Sequence, residues 1–206
     1  AKGANLEAAN KNGWTSLVFA SEEGHLEIVI FLVDKGANQE AKDERGGTSL
    51  LLASLKGRLD IVKFLVDKGA NVNAASKRGK TSLMWASYKG HLDIVKFLVD
   101  KGAEVEAADE DGWTSLLWAS GGGHLDTVKF LVAKGANLEQ GRRSGGGEQG
   151  WLYAPAGGFT RGRLGRLITV EFLVDKGAEV EAANRDGWTS LLWASGGGHL
   201  DTVKFL

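Results

Sequence analysis

Four histidines are the side chains best equipped to hold a metal: His25, His91, His124 and His199, each directly after a glycine. They occupy one and the same place in a repeated unit, where the second unit carries Arg58 instead. Same-phase residues of stacked units stand about 8–10 Å apart, one helix-packing distance. Ligands of one zinc ion sit about 2 Å from it, so these histidines read as structural groups opening a helix, and no metal site is expected. The glycine triplets Gly121–Gly123 and Gly196–Gly198 resemble a phosphate cradle only superficially. They lack the Gly-Lys-Ser/Thr ending and the preceding strand, and read as a loosened helix end. Glu22 with Glu23, and the run Asp109 to Asp111, read as carboxylates on solvated turns. Nothing sets a buried base beside a nucleophile. The chain has no cysteine, which removes disulfides, thiolate zinc sites and cysteine nucleophiles. The expectation is therefore no catalytic residue, no cofactor, no metal and no small-molecule substrate.

What positions these residues is a period. Thr15, Thr48, Thr81 and Thr114 each open a Thr-Ser-Leu and fall 33 residues apart, as do Gly36, Gly69, Gly102 and Gly135, each followed by alanine. A fixed period of this length indicates a solenoid of stacked units. In the first unit Thr15 is an N-cap candidate, Leu17 and Ala20 share a helix face, and Gly24 can end the helix in the left-handed conformation. A second helix starts near His25, carries Leu26, Val29, Leu32 and Val33 on one stripe, and stops at Gly36. The polar stretch Asn38 to Gly47 then leads as an extended finger to the next threonine. Helices this short are not stable alone, so neighbouring units must bury each other's stripes.

Gly-Trp-Thr-Ser-Leu, Ala-Ser, Gly-His-Leu-Glu-Ile-Val and Leu-Val-Asp-Lys-Gly-Ala-Asn recur in phase over about five-sixths of the chain. This pattern resembles the ankyrin repeat. The resemblance implies an all-α solenoid of antiparallel helix pairs with β-turn fingers, arranged as one array over residues 1–206. Its repeats fall at about 10–42, 43–75, 76–108 and 109–141, with a degenerate unit at 142–183 and a partial one at 184–206. The family's Thr-Pro-Leu-His is Thr-Ser-Leu here, followed by Val18, Leu51, Met84, Leu117 or Leu192. That departure gives up a preset backbone angle and a polar tie in each repeat. The resemblance also implies protein binding through the finger tips and the face of each first helix. Carried over position by position, that surface takes Trp14, Glu22 and Glu23 from the first repeat, and Arg45, Leu55 and Lys56 from the second. The third contributes Lys77, Arg78, Lys80, Tyr88 and Lys89, the fourth Glu110, Asp111 and Trp113, and the last Arg185 and Trp188. Trp85, Trp118 and Trp193, inside first helices, are assigned to packing between repeats.

Charge refines this picture. The chain's net charge of −1 supplies no field for nucleic acid or anionic membrane, but over residues 10–141 the repeats run −2, +1, +2 and −3. A protein partner with an acidic patch matches the basic middle around Tyr88. No apolar run reaches the roughly 18 residues of a membrane span, and no signal peptide opens the chain. The expectation is an intracellular protein of the cytoplasm, with the nucleus as the alternative. Leu206 falls inside a helical pattern, so the chain reads as a window of a longer protein. Residues 102–132 and 177–206 differ over their shared length only at Asp109/Asn184 and Glu110/Arg185. Such recent duplication supports a second reading, a non-catalytic scaffold or spacer segment of a multidomain protein.

The fifth unit breaks the rhythm. Gly135 to Gly177 spans 42 residues, and residues 140–166 hold the only proline, Pro155, and five of the nine arginines but no lysine. Arginine and glycine interleave there with Trp151, Tyr153 and Phe159, a composition that single-stranded nucleic-acid binders use. Permitted codons for Gly150 to Arg166, read one nucleotide later, spell Gly-Gly-Ser-Thr-Pro-Leu-Leu-Gly-Ala-Ser, an ankyrin first helix. A frame error is preferred to an evolved nucleic-acid segment, because it produces the same composition without requiring a fold. Residues 140–166 are expected to be an irregular loop, with a helix resuming near Leu167.

Overall fold

The computed structural model describes residues 3–137 and 175–176. Within 3–137 lie eight short helices: α1 (Ser16–Glu23), α2 (Leu26–Asp34), α3 (Ser49–Leu55), α4 (Leu59–Asp67), α5 (Ser82–Lys89), α6 (Leu92–Asp100), α7 (Ser115–Gly122) and α8 (Leu125–Ala133). Among the described residues the only extended pairing is three isolated antiparallel bridges, Ala9–Thr15, Ala75–Thr81 and Ala108–Thr114. The eight helices form four pairs, and the all-α expectation holds. The expectations for 140–166, Leu167, Arg185 and Trp188 lie outside the described residues.

Local chemistry explains where each helix starts and stops. Thr15, Thr48 and Thr81 accept the backbone N–H three residues on, each at 3.3 Å, which satisfies one orphan donor of the first turn. Thr114 has the same extended backbone but makes no side-chain cap bond. First helices end at glycines in the left-handed region, such as Gly24 (φ 91°) and Gly123 (φ 75°). The triplet Gly121–Gly123 does not loosen its helix, contrary to expectation, and Gly196–Gly198 lies outside the described residues. Helix α7 runs eight residues, as α1 does, and only Gly123 leaves it.

The chain divides into two compact units, residues 1–86 with 91–104 and residues 87–90 with 105–206. In the first, α1 packs on α2 and α3, α3 on α4, and α4 on α2 and α6. Its core is a file of same-phase residues: Leu17, Leu50 and Leu83 in first helices, Val29, Val62 and Val95 in second helices, all fully or almost fully buried. In the second unit α7 packs on α8, burying Leu116, Ala119, Val128 and Leu131. Val18, Leu51, Met84 and Leu117, which stand where the family has histidine, are all buried. The serines in the proline position behave differently. Ser49, Ser82 and Ser115 bury hydroxyls that no protein group pairs with.

Polar ties link successive repeats. In the first unit the Asn38 and Asn71 N–H groups donate to Glu7 and Glu40 Oε1, each at 2.9 Å. Lys68 and Lys101 reach back to Asp34 and Asp67 at 3.1 and 2.9 Å. These pairs are about half exposed, so each contributes little. They mark register rather than hold the fold.

Candidate functional site

The fingers are built around one side chain per repeat. Asn10 Oδ1 accepts the N–H groups of Asn12 and Trp14, and Asp43 Oδ1 those of Arg45 and Gly47. Asp109 Oδ1 accepts those of Asp111 and Trp113, and Ser76 Oγ that of Lys80. Each is an Asx- or hydroxyl-stabilised turn, completed by a glycine at positive φ: Gly13, Gly46, Gly79 and Gly112. In the first unit neighbouring fingers join edge to edge, with Glu44 N–H on Asn12 O at 3.0 Å and Lys77 N–H on Arg45 O at 2.9 Å. A Cβ on Gly46 would stand 2.6 Å from the Lys77 nitrogen, so glycine is required there for approach as well as for φ.

This corrects the reading of the carboxylate runs. Asp109 is only 6% exposed and organises its turn, while Glu110 and Asp111 beside it are exposed. Glu22 and Glu23 are not on a turn but in the last turn of α1. Glu22 Oε1 pairs with Lys56 Nζ at 3.1 Å, and its side chain is 14% exposed.

In the first unit the face of the first helices is apolar in the middle and cationic at its margin. Trp14, Leu55 and Trp85 are half-buried and pack on Val18, Leu51 and Leu52. Phe19 stands 5.8 Å from Trp14, ring to ring, and remains 53% exposed. Lys80 Nζ lies over the Trp85 ring at 5.1 Å, a cation–π contact that is stronger where water is excluded. Lys77, Arg78, Arg45, Glu23 and Lys56 are exposed.

The second unit is aromatic and acidic. Tyr88 meets Trp118 edge to face at 5.3 Å, and Trp113 meets it at 5.3 Å and 45°. The Trp118 indole N–H donates to Asp109 Oδ2 at 3.2 Å, so one buried carboxylate holds both the finger and the central ring. Lys89 Nζ lies 5.1 Å over Tyr88. Trp118 in this unit, like Trp85 in the first, is half-buried rather than enclosed by packing. Sequence reading left out Phe19 and Asp43, and took Asp109 for a solvated carboxylate rather than the group that closes its turn. Their signal was present, since positions 10, 43, 76 and 109 hold Asn, Asp, Ser and Asp, the residues that make such turns.

The second-helix openings are occupied by backbone carbonyls. Arg58 Nε donates to Glu22 O at 3.2 Å, His91 Nε2 lies 3.3 Å from Leu55 O, and His124 Nε2 lies 2.9 Å from Tyr88 O. A Cβ on Gly57 would stand 2.7 Å from the His91 ring, so ring and helix-ending glycine are mutually fitted. A structural group is what the sequence suggested here. Arginine serves equally well because both side chains can donate an N–H to that carbonyl.

The family model for ankyrin repeats (3 copies) matches residues 2–76 and 74–141, and that for ankyrin repeats (many copies) matches residues 161–206. No curated protein matches the chain. Paired helices capped by threonine and glycine, fingers closed by Asx turns, and two family models over most of its length make this chain a member of the ankyrin-repeat family.

Proposed function

We propose that the chain binds a protein partner through its fingers and the face of its first helices, and that it carries out no catalysis. The observation that carries this reading is the surface of the first unit, where Phe19, 53% exposed, adjoins Trp14. Aromatic side chains anchored from below and lined by cations are what protein interfaces use as binding centres. Trp14, Leu55 and Trp85 are already held by packing, so little side-chain entropy is lost when a partner covers them. With Lys56, Lys77 and Lys80 on its margin, this face suits a segment that presents an apolar side chain flanked by carboxylates. In the second unit Tyr88, Trp113 and Trp118, beside Glu110 and Asp111, form a further aromatic contact area of opposite charge. We read residues 1–206 as one array in a protein of the cytoplasm. Among the described residues no helix is long and apolar enough to cross a membrane.

The test is affinity capture from cell extract on the immobilised chain, followed by calorimetry with the captured partner. Phe19→Ala combined with Lys77→Glu should weaken binding by about 2 kcal/mol or more. The change in stability should be far smaller, since both side chains are exposed. Undiminished binding by the double variant would remove the first-helix face from consideration. Tyr88 is a poorer probe, because its ring supports Trp118 and its truncation would disturb the fold. The near-identity of residues 102–132 and 177–206 favours a second role for part of the array as spacer. A partner that loses nothing when Trp113 and Glu110 are changed would assign that role to the second unit.

A further inference from the structure

Helices α4 and α6 have one and the same sequence, Leu-Asp-Ile-Val-Lys-Phe-Leu-Val-Asp, followed in both by lysine. Ile61, Val62 and Leu65 of α4, and Ile94, Val95 and Leu98 of α6, are buried. The opposite side of each helix is a stripe with the i, i+3, i+4, i+7, i+8 spacing of a single helix face. In α4 it consists of Asp60, Lys63, Phe64, Asp67 and Lys68, and in α6 of Asp93, Lys96, Phe97, Asp100 and Lys101. The charged members are exposed and the two phenylalanines half-buried. This stripe runs along the side of the stack, so further repeats at either end of the array would leave it uncovered.

Part of the stripe is occupied within the unit. Lys68 pairs with Asp34 at 3.1 Å and Lys101 with Asp67 at 2.9 Å. Each ammonium also lies over the phenylalanine of its own helix, at 5.5 and 5.4 Å. The side chains of Asp60, Lys63, Asp93 and Lys96 make no ion pair among the described residues. Along the helix the stripe reads acid, base, aromatic, acid, base. Reversed, with every sign inverted, that order is unchanged. A second identical stripe laid antiparallel therefore meets it with opposite charges throughout. Laid parallel, it would set like charges on like, which is costly.

We infer that the outer face of α4 and α6 is a dimer interface, and that its occupant is a second copy of this chain. Helix α4 packs between α2 and α6 in one row. A two-fold axis along that row sets each second helix antiparallel to its own counterpart. Phe64 then meets Phe64 of the second copy, Asp60 meets its Lys68, and Lys63 meets its Asp67. Helix α6 repeats the arrangement through Phe97, Asp93 with Lys101, and Lys96 with Asp100. The unpaired charges of one copy thus reach charges of the other that are already bridged between repeats. Single surface pairs contribute little, but a network of them contributes more. Helix α2 is a weaker member, because Ile30 stands where Lys63 and Lys96 stand. The contact is isologous and closes at two copies. The first helices form the other row of each pair, so the dimer carries two binding faces, and the inference is independent of what those faces bind.

Sedimentation equilibrium of the full chain over a wide range of concentration tests it. The chain should pass from monomer to dimer and stop there, with a dissociation constant that rises with salt. One variant carries Lys63→Glu with Lys96→Glu, the other Asp67→Lys with Asp100→Lys. Each alone sets like charges against one another and should weaken the dimer about tenfold or more. Helical circular dichroism should be retained, because the changed side chains are exposed. Mixed in equal amounts, the two variants should restore the dimer to within about threefold of the parent, since every facing pair is again opposite in sign. Should either variant lose its helical signal, Asp60→Lys with Asp93→Lys and Lys68→Glu with Lys101→Glu make the same exchange at the other charge pair. A chain that stays monomeric throughout, or that associates past the dimer, overturns the inference. Variants that associate as the parent does, or a mixture that recovers nothing, overturn it equally.

Discussion

The first and second repeats place similar residues at the same register and leave them in different environments. Ile28 and Ile61 occupy one position, yet the first is 49% exposed and the second 2%. Asn10 and Asp43 close the same turn, the first exposed and the second 7% exposed. Ser16 and Ser49 both follow the capping threonine, and only Ser49 is buried. In a stack of this kind a side chain's contribution is set by whether a preceding repeat covers it. A repeat therefore has no stability of its own to quote; it has a stability next to a neighbour.

The widest gap should appear at the isoleucines. Ile61→Ala removes a buried side chain between α2 and α4 and should cost about 2–5 kcal/mol in chemical denaturation. Ile28→Ala should stay within about 1 kcal/mol. Equal losses would mean that the two edges are covered alike in solution.

The turns come next. Asp43→Ala removes the acceptor of two backbone N–H groups inside a buried turn and should destabilise by about 1–3 kcal/mol. Asn10→Ala, where water can replace the acceptor, should cost less than half of that. Urea midpoints of the two variants check the order, and a larger loss at Asn10 would contradict it.

A smaller effect of opposite sign is expected where serine has replaced proline. Ser49 buries a hydroxyl with no partner and stands at the first helical position, where proline's angle is preset. Ser49→Pro should therefore stabilise by about 0.5–2 kcal/mol, from a less flexible unfolded chain and a removed polar group. Ser16→Pro should give only the unfolded-chain part, about 0.4–1 kcal/mol. Differential scanning calorimetry of both variants separates the two contributions. A destabilised Ser49→Pro would show that the hydroxyl is satisfied in solution.

The smallest difference should be between the lysines. Lys68→Ala breaks the pair with Asp34 and should cost about 0.2–1 kcal/mol, while Lys35→Ala, with no carboxylate opposite, should be near zero. The Lys68 effect should shrink in high salt. A salt-independent loss would point to the Phe64 ring, which Lys68 also covers at 5.5 Å.

Most features with a short sequence reach were legible without coordinates, the turn-closing Asp43 and Asp109 being the exceptions. The threonine caps, the turn glycines, the two helix stripes and the 33-residue phase follow from residues three, four or five apart, and they placed eight helices correctly. The structural use of His91 and His124, each against a carbonyl of the preceding first helix, also followed from their place in the repeat. Only the tertiary structure decided that Phe19, Ile28 and Phe31 stand in solvent, that Asp109 is buried and steadies Trp118, and that Ser49 keeps an unpaired hydroxyl. Each of these depends on what a neighbouring repeat or a folded-back turn places against the residue. The partners of Asn71 and Arg58 lie 31 and 36 residues away. Caps and stripes are short-range properties of one segment, whereas burial belongs to the pair of segments that meet, and a periodic sequence writes the same letters on covered and uncovered edges alike.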